Sequence, residues 1–260
     1  MEELPICSCH TVMVSGWAHA GNTLEPLYSR IPNLSNVTFT SPRDLYRNVQ
    51  DASSQNGGNT PTHSAYAEAL IDRIRCLSEP VVLLGWSTGA MIALEAAVHF
   101  PTQVKALILL SGTASFSYSK ACPWGVSPRT IDAMAKHLKR NPESVLDDFF
   151  RRAASPETVS SAEIDRKIDA ALEEGTESLR YSLTYLRETN LNRILPHVRQ
   201  PSLLIHGKQD AIVSAAAATH LNKHMPRAAK ITLAEIGHTL PEQCADTTAI
   251  YIEQFLSNLP

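Results

Sequence analysis

A serine flanked by two glycines is the first place in this sequence where chemistry is expected. In Gly85-Trp86-Ser87-Thr88-Gly89, the apolar run VVLL at 81–84 ends and the helix-like run AMIALEAAVHF begins. The pattern G-x-S-x-G at such a boundary is typical of a sharp strand-to-helix turn that exposes the serine hydroxyl. Ser87 is therefore the predicted nucleophile, and the alternative is an ordinary serine in a tight turn.

Two further residues could activate this serine. A serine hydroxyl is a poor nucleophile at neutral pH, so it needs a general base and a carboxylate that orients the base. Asp210 follows the apolar run SLLIHG, and His238 follows the last apolar run, in IGHTLP. These positions predict Asp210 as the acid and His238 as the base, the alternatives being a turn-capping aspartate and a packed histidine. Other aspartates and histidines fall inside helical stretches or a strand: Asp148, Asp165, Asp169, His206, His220 and His224.

Two backbone N–H groups are needed to stabilise the oxyanion that forms when a serine attacks a carbonyl. One is expected from Thr88, the residue after the nucleophile. The other is expected from the loop after the first strand, VMVSGWAHAG, where Trp17 is the predicted donor and its indole a wall beside the acyl chain. The alternative for Trp17 is a purely packing role.

The elements that must position these residues alternate along the chain. Helical runs at 63–77, 89–100 and the C-terminal tail separate short apolar runs, which indicates βαβ units and a mostly parallel sheet flanked by helices. With the order Ser, Asp, His, this predicts an α/β-hydrolase fold. Five strands buried on both faces and a sixth are predicted at 11–17, 36–42, 81–87, 105–112, 201–207 and 230–238.

Residues 115–195 interrupt the alternation. They hold no convincing strand, and Asn141-Pro142-Glu143 is a typical helix start. A helical lid over 115–195 is therefore predicted, inserted into a core formed by 1–114 and 196–260.

Composition excludes several classes of protein. The 260-residue chain has a net charge of −3 and a pI of about 6.4, which argues against nucleic acid as a partner. It has no apolar run long enough for a membrane span and no visible signal peptide, so a cytoplasmic location is expected. Cys7 and Cys9 lack the further ligands of a zinc site, and the five cysteines are expected to be free thiols.

Longer segments make the chain resemble a specific family, the pimeloyl-[acyl-carrier-protein] methyl ester carboxylesterases of biotin synthesis. The resemblance is carried by the triad segments and by SGWA at 15–18, GWSTGA at 85–90, CPWGVSPRTIDAM at 122–134, LDDFFRRA at 146–153 and YLRETNLN at 185–192. It implies Ser87, Asp210 and His238 as catalytic residues, Trp17 and Thr88 at the site, and no metal or organic cofactor. The chain departs from the usual His-Gly-Trp-Gly at residues 15–18, and it has Thr88 and Ala90 where Leu and Gly are usual.

The resemblance also implies contacts made by the lid. The first lid helix of the family touches the substrate, which here points to Phe149, Phe150, Arg151, Arg152 and Ala153. Packing is the equal alternative for Phe149, because the segment carries an apolar stripe at helical spacing.

The implied partner is an acyl carrier protein, and carrier proteins of this kind are acidic. A basic docking patch is therefore expected at Lys139, Arg140, Arg151 and Arg152. The alternative is an ordinary solvated helix in which Asp148 pairs with Arg152.

Three other functions stay open because fold and triad do not fix the substrate. They are a general short-chain carboxylesterase, a C–C bond hydrolase with the same triad, and a non-catalytic binding module. An intact set of Ser, Asp and His disfavours the binding module.

Overall fold

Six parallel strands form the centre of the molecule. The computed structural model describes residues 9–32, 34, 36–53, 63–173 and 175–259. The strands are β1 (His10–Val14), β2 (Val37–Thr40), β3 (Val81–Trp86), β4 (Val104–Leu110), β5 (Ser202–Gly207) and β6 (Ala228–Leu233). They lie in the sheet in the order β2-β1-β3-β4-β5-β6.

The central strands and the edge strands differ in burial. Every residue of β3 and β5 is buried, because helices cover both faces of a parallel sheet. The edge strands β2 and β6 are half-exposed, so the prediction that β2 is buried on both faces is wrong. The sixth strand ends at Leu233, not at His238, so the loop after it carries the histidine.

Helices cover the sheet in two layers with separate apolar cores. The helices are α1 (Glu25–Tyr28), α2 (Pro42–Ser53), α3 (Ala65–Arg75), α4 (Thr88–His99), α5 (Pro128–Arg140), α6 (Pro142–Ala154), α7 (Ser161–Leu172), α8 (Glu177–Glu188), α9 (Ala216–His224), α10 (Leu240–Gln243) and α11 (Ala245–Ser257). The layer of α2, α3, α4 and α9 packs around Leu70, Ile92 and Leu221, and the layer of α1, α10 and α11 packs around Leu27 and Ile252.

Four helices, α5 to α8, lie between β4 and β5. Side chains of Ser127, Asn141 and Ser160 accept hydrogen bonds from backbone N–H groups in the first turns of α5, α6 and α7. Such caps satisfy donors that a helix start leaves unpaired. The helix start predicted at Asn141 is confirmed, and the described residues of this segment form isolated β-bridges but no strand.

Two other sequence-based expectations concern membrane-spanning helices and the cysteine thiols. Of the helices described, none is long and apolar enough to cross a membrane. In the described part of the chain Cys76, Cys122 and Cys244 are free thiols, as predicted. Cys7 and most of the polar loop at 50–62 lie outside the described residues.

Candidate active site

Ser87, Asp210 and His238 meet at the carboxyl edge of the sheet. The Ser87 Oγ lies 2.9 Å from His238 Nε2, and His238 Nδ1 lies 2.8 Å from Asp210 Oδ2. A carboxylate only accepts, so Nδ1 carries the proton and Nε2 is left with a lone pair facing the serine hydroxyl. This is the tautomer in which a histidine removes a proton from a serine.

The backbone at Ser87 is held in a conformation that side chains seldom adopt. Its φ is 57° and its ψ −117°, between the end of β3 and the start of α4. The turn is tight enough to require both flanking glycines: a Cβ at Gly85 would lie 2.6 Å from Ala90 Cα, and one at Gly89 would overlap the carbonyl of Val14. The motif therefore combines a strained serine with two close backbone approaches.

Asp210 is held by four donors. Its Oδ1 accepts the backbone N–H groups of Ile212 and Val213, each at 2.8 Å, and its Oδ2 faces His238 and, at 3.3 Å, His206 Nε2. Burial alone raises the pKa of this carboxyl. The electrostatic interaction with His238 and the hydrogen bonds from His206 and His238 outweigh burial, so the pKa of Asp210 lies below its ordinary value and the group stays ionised.

The base is fixed from its backbone side as well. The His238 carbonyl accepts the Trp86 indole N–H at 3.0 Å and the Ser111 hydroxyl at 3.1 Å. His238 is 1% exposed, whereas Ser87 is only half-buried. Small molecules can therefore reach Ser87, whereas the side chain of His238 is shielded from solvent.

The two predicted oxyanion donors lie on neighbouring loops. β1 and β3 are adjacent, and the chain leaves β1 for β2 on its other side, so their carboxyl ends form the switch point where ligands bind in open α/β sheets. The loop after β1 passes over Ser87: a Cβ at Gly16 would lie 3.2 Å from Ser87 Cβ. In the described part of the chain, the backbone N–H groups of Trp17 and Thr88 have no acceptor. The positive end of the α4 dipole adds to the field there.

A cavity of about 450 Å³ opens beside Ser87. Its walls are largely apolar and come from the sheet edge and from facing sides of α5 and α6, including Met134, Val145 and Phe149. Polar side chains lie on the same helix faces, among them His137 and Asp148. Its volume falls in the usual range for small-molecule sites.

Of the five lid residues expected at the substrate, the structure puts two on the cavity wall, Phe149 and Arg152. Phe150 instead packs on His19 at 5.4 Å between ring centroids, Ala153 is fully buried, and Arg151 turns away to pair with Asp147. These three side chains therefore do not line the cavity beside Ser87. The reason is helical phase, because consecutive residues point in different directions around α6.

Comparison with known proteins assigns the chain to a family. The model of the Alpha/beta hydrolase family matches residues 12–249. The chain belongs to this family. It is 28% identical over 257 residues to the pimeloyl-[acyl-carrier protein] methyl ester esterase of Xanthomonas axonopodis pv. citri, covering 96% of this chain and 95% of the relative. It is 28% identical over 203 residues to the protein of that name from Nitrosomonas europaea, covering 70% and 79%.

Solved structures agree on the fold. The esterase EaEST from Exiguobacterium antarcticum has a TM-score of 0.78 at 18% identity, over 96% of this chain and 92% of that one. A bromoperoxidase from Bacillus anthracis has a TM-score of 0.80 at 18% identity, over 96% and 93%. The predicted α/β-hydrolase fold and the resemblance noted in the sequence are both confirmed.

The four basic residues expected to dock a carrier differ in their surroundings. Lys139 and Arg140 are exposed at the end of α5 and make no ion pair with the described residues. Arg151 pairs with Asp147 at 2.9 Å. Arg152 lies 3.7 Å from Asp148 and donates to the carbonyl of Ala211, next to the predicted acid.

Three side chains at the site were not predicted from the sequence to contribute to it. His206 contacts Asp210 from inside β5, Ser111 holds the backbone of His238, and His19 lies buried beside Trp86. Each is a lone polar residue in or after an apolar run, a pattern that also fits an ordinary packed side chain. Within the described residues, no group of three potential metal ligands comes together.

Proposed function

We propose that this protein hydrolyses the methyl ester of a pimeloyl group carried on acyl carrier protein, releasing methanol and pimeloyl-acyl carrier protein for biotin synthesis. That the chain is a carboxylic ester hydrolase follows from its family and from its esterase-named relatives. The finer assignment rests on the name that those relatives share over nearly the full length of the chain. The observation that carries the proposal is a nucleophile-like serine opening onto a largely apolar cavity of about 450 Å³.

The acylation step uses the groups around Ser87. The Ser87 oxygen attacks the ester carbonyl while His238 Nε2, 2.9 Å away, takes its proton. Negative charge gathers on the carbonyl oxygen. The backbone N–H groups of Trp17 and Thr88 donate to no other acceptor among the described residues and can donate to this oxygen. His238 then protonates the departing methoxide, and methanol leaves.

Deacylation reverses the roles of serine and water. His238 takes a proton from a water molecule, whose oxygen attacks the acyl-enzyme carbonyl. The tetrahedral intermediate collapses as His238 returns the proton to Ser87. The products are the free carboxylate and the restored serine. Asp210 stays ionised throughout and stabilises the imidazolium in both steps.

The cavity suits a medium-length acyl chain. A pimeloyl group has five methylenes, and at about 0.8 kcal/mol per buried methylene they contribute roughly 4 kcal/mol to binding. Met134, Val145 and Phe149 offer apolar surface for them. The polar side chains on the facing sides of α5 and α6 suit the amide-rich arm that links an acyl group to its carrier.

The test compares substrates on one enzyme preparation. We expect kcat/KM for methyl pimeloyl-acyl carrier protein to exceed that for p-nitrophenyl acetate, and we expect the gene to complement a bacterial strain lacking its own pimeloyl ester esterase. Ser87→Ala is the inactive control. Efficient cleavage of p-nitrophenyl acetate without cleavage of the carrier-linked ester would instead assign a general short-chain carboxylesterase.

The carrier itself is tested by charge reversal. Lys139→Glu with Arg140→Glu should lower kcat/KM for the carrier-linked ester on the order of tenfold at low salt, because an acidic partner is no longer steered. The loss should shrink as salt is added. Hydrolysis of p-nitrophenyl acetate is the internal control. An unchanged rate with the carrier-linked ester would remove these two residues from the docking surface.

A further inference from the structure

The loop that follows β1 contains an unusual turn. The His19 backbone N–H donates to the Gly16 carbonyl at 3.3 Å, which closes a turn over Gly16 to His19. Within it, Ala18 has a φ of 62°, in the left-handed region that favours glycine. A residue with a Cβ holds such a conformation only when its surroundings enforce it.

Two side-chain hydrogen bonds supply that enforcement. The Ser15 hydroxyl donates to the His19 carbonyl at 3.0 Å. His19 Nδ1 lies 2.8 Å from the Trp17 carbonyl, and because a carbonyl only accepts, Nδ1 is the donor. That carbonyl belongs to the peptide between Trp17 and Ala18, so the imidazole fixes the orientation of this peptide plane. Both bonds are buried.

The surroundings of His19 keep its imidazole neutral, with the proton on Nδ1. Its ring packs against Trp86 at 4.4 Å and Phe150 at 5.4 Å between centroids. Burial, aided by the positive charge of Lys167 and by His238, lowers its pKa to about 3, so the ring is neutral at neutral pH. With Nδ1 protonated, Nε2 is an unprotonated acceptor, and it has no partner in the described part of the chain.

We propose that His19 is a positioning residue for the oxyanion hole. Its Nδ1–H fixes the Trp17 carbonyl and so stabilises the turn in which the His19 backbone N–H holds the Gly16 carbonyl, whose peptide carries the Trp17 N–H. The inference rests on the proposed serine esterase mechanism. It makes His19 act through the backbone of Trp17, without touching substrate. Because the oxyanion is absent from the bound substrate and forms only as the serine attacks, the effect falls on kcat and not on KM.

The experiment compares His19→Leu, which removes the donor, with His19→Asn, whose amide nitrogen is attached to Cγ as Nδ1 is. With p-nitrophenyl acetate, His19→Leu should lower kcat by about 10- to 100-fold, less than or equal to the loss of a whole donor, and change KM by less than about threefold. His19→Asn should recover most of kcat. The affinity for a trifluoromethyl ketone, which forms an oxyanion on the serine, should fall in parallel with kcat.

A second pair of variants addresses the strained turn. Ala18→Gly introduced into His19→Leu should recover part of the lost kcat, because glycine holds the positive φ without the imidazole. If His19→Leu does not fold, Ser15→Ala removes the other hydrogen bond and should lower kcat selectively.

The outcomes separate this inference from the proposed function. Full activity in Ser87→Ala would overturn the mechanism itself. An inactive Ser87→Ala together with wild-type kcat in folded His19→Leu, or in Ser15→Ala where His19→Leu does not fold, would overturn only the role of His19. Equal losses in His19→Leu and His19→Asn, or a loss confined to KM, would also overturn it.

Discussion

Replacing Asp210 by asparagine tests the arrangement of the triad most sharply, because the structure determines how the new amide must sit. Oδ1 accepts two backbone N–H groups, from Ile212 and Val213, at 2.8 Å. An amide oxygen can keep both bonds and an amide nitrogen can keep neither. The Asn oxygen therefore stays at Oδ1, and the NH₂ group takes the Oδ2 position facing His238.

The consequence is a wrong tautomer at the base. An NH₂ group facing His238 Nδ1 donates to it, so the imidazole proton moves to Nε2. Nε2, which lies 2.9 Å from the Ser87 Oγ, then has no lone pair to take the serine proton. Loss of the correct tautomer in a triad costs about 10⁴ in kcat, equivalent to about 5.4 kcal/mol in the barrier.

The fold should tolerate the change. His206 Nε2 keeps its hydrogen bond to the Val213 carbonyl at 2.8 Å, so no second buried donor is orphaned. The assay is kcat for p-nitrophenyl acetate at pH 7.5, with Asp169→Asn on the exposed side of α7 as the matched control. A folded Asp210→Asn enzyme within tenfold of wild type would refute both the tautomer argument and the acid assignment.

Three further perturbations follow from the same geometry. Ser87→Ala should lower kcat by on the order of 10⁶ without unfolding the protein, and near-wild-type turnover of p-nitrophenyl acetate would contradict the nucleophile. Gly89→Ala, whose Cβ would overlap the Val14 carbonyl, should cost about 1–3 kcal/mol in denaturant unfolding and at least tenfold in kcat; an unperturbed variant would contradict the close approach. His19 has its pKa lowered from 6.5 to about 3, so the unfolded chain binds more protons and stability falls as pH drops from 6.5 towards 3, by about 2 kcal/mol at pH 5. His19→Asn should lack that component, and an unchanged difference in unfolding free energy between pH 8 and pH 5 would exclude it.

The sequence was most informative where one local pattern determines the structure. The apolar run before Ser87 predicts β3, and the two glycines predict the turn, because both depend on neighbouring residues only. Asp210 and His238 were predictable for the same reason, since each follows the end of a strand. The prediction used the ends of strands and needed no knowledge of how the helices pack.

The lid was less predictable because its contacts depend on rotation about a helix axis. Phe149 and Phe150 are adjacent and chemically alike, yet one lines the cavity and the other packs on His19. An apolar stripe shows that a face is buried, without showing whether protein or cavity covers it. The charge pattern of a sequence likewise does not show which basic residues are paired. Arg151 and Arg152 are adjacent in sequence, but each has an aspartate beside it in the structure.

Two hydrogen bonds connect the predicted lid helices to the loops that carry Trp17 and Asp210. The Trp17 indole N–H donates to the Leu179 carbonyl of α8 at 3.0 Å, which ties the oxyanion loop to the lid. Arg152 of α6 donates to the Ala211 carbonyl at 3.2 Å, which ties the acid loop to the lid. A shift of α8 would therefore move the loop of Trp17, and a shift of α6 would move the loop of Asp210. Either shift would also change the shape of the cavity. If α5 to α8 act as the predicted lid, these two hydrogen bonds link lid position to the loops around Ser87, so we expect variants that remove either bond to change kcat as well as KM.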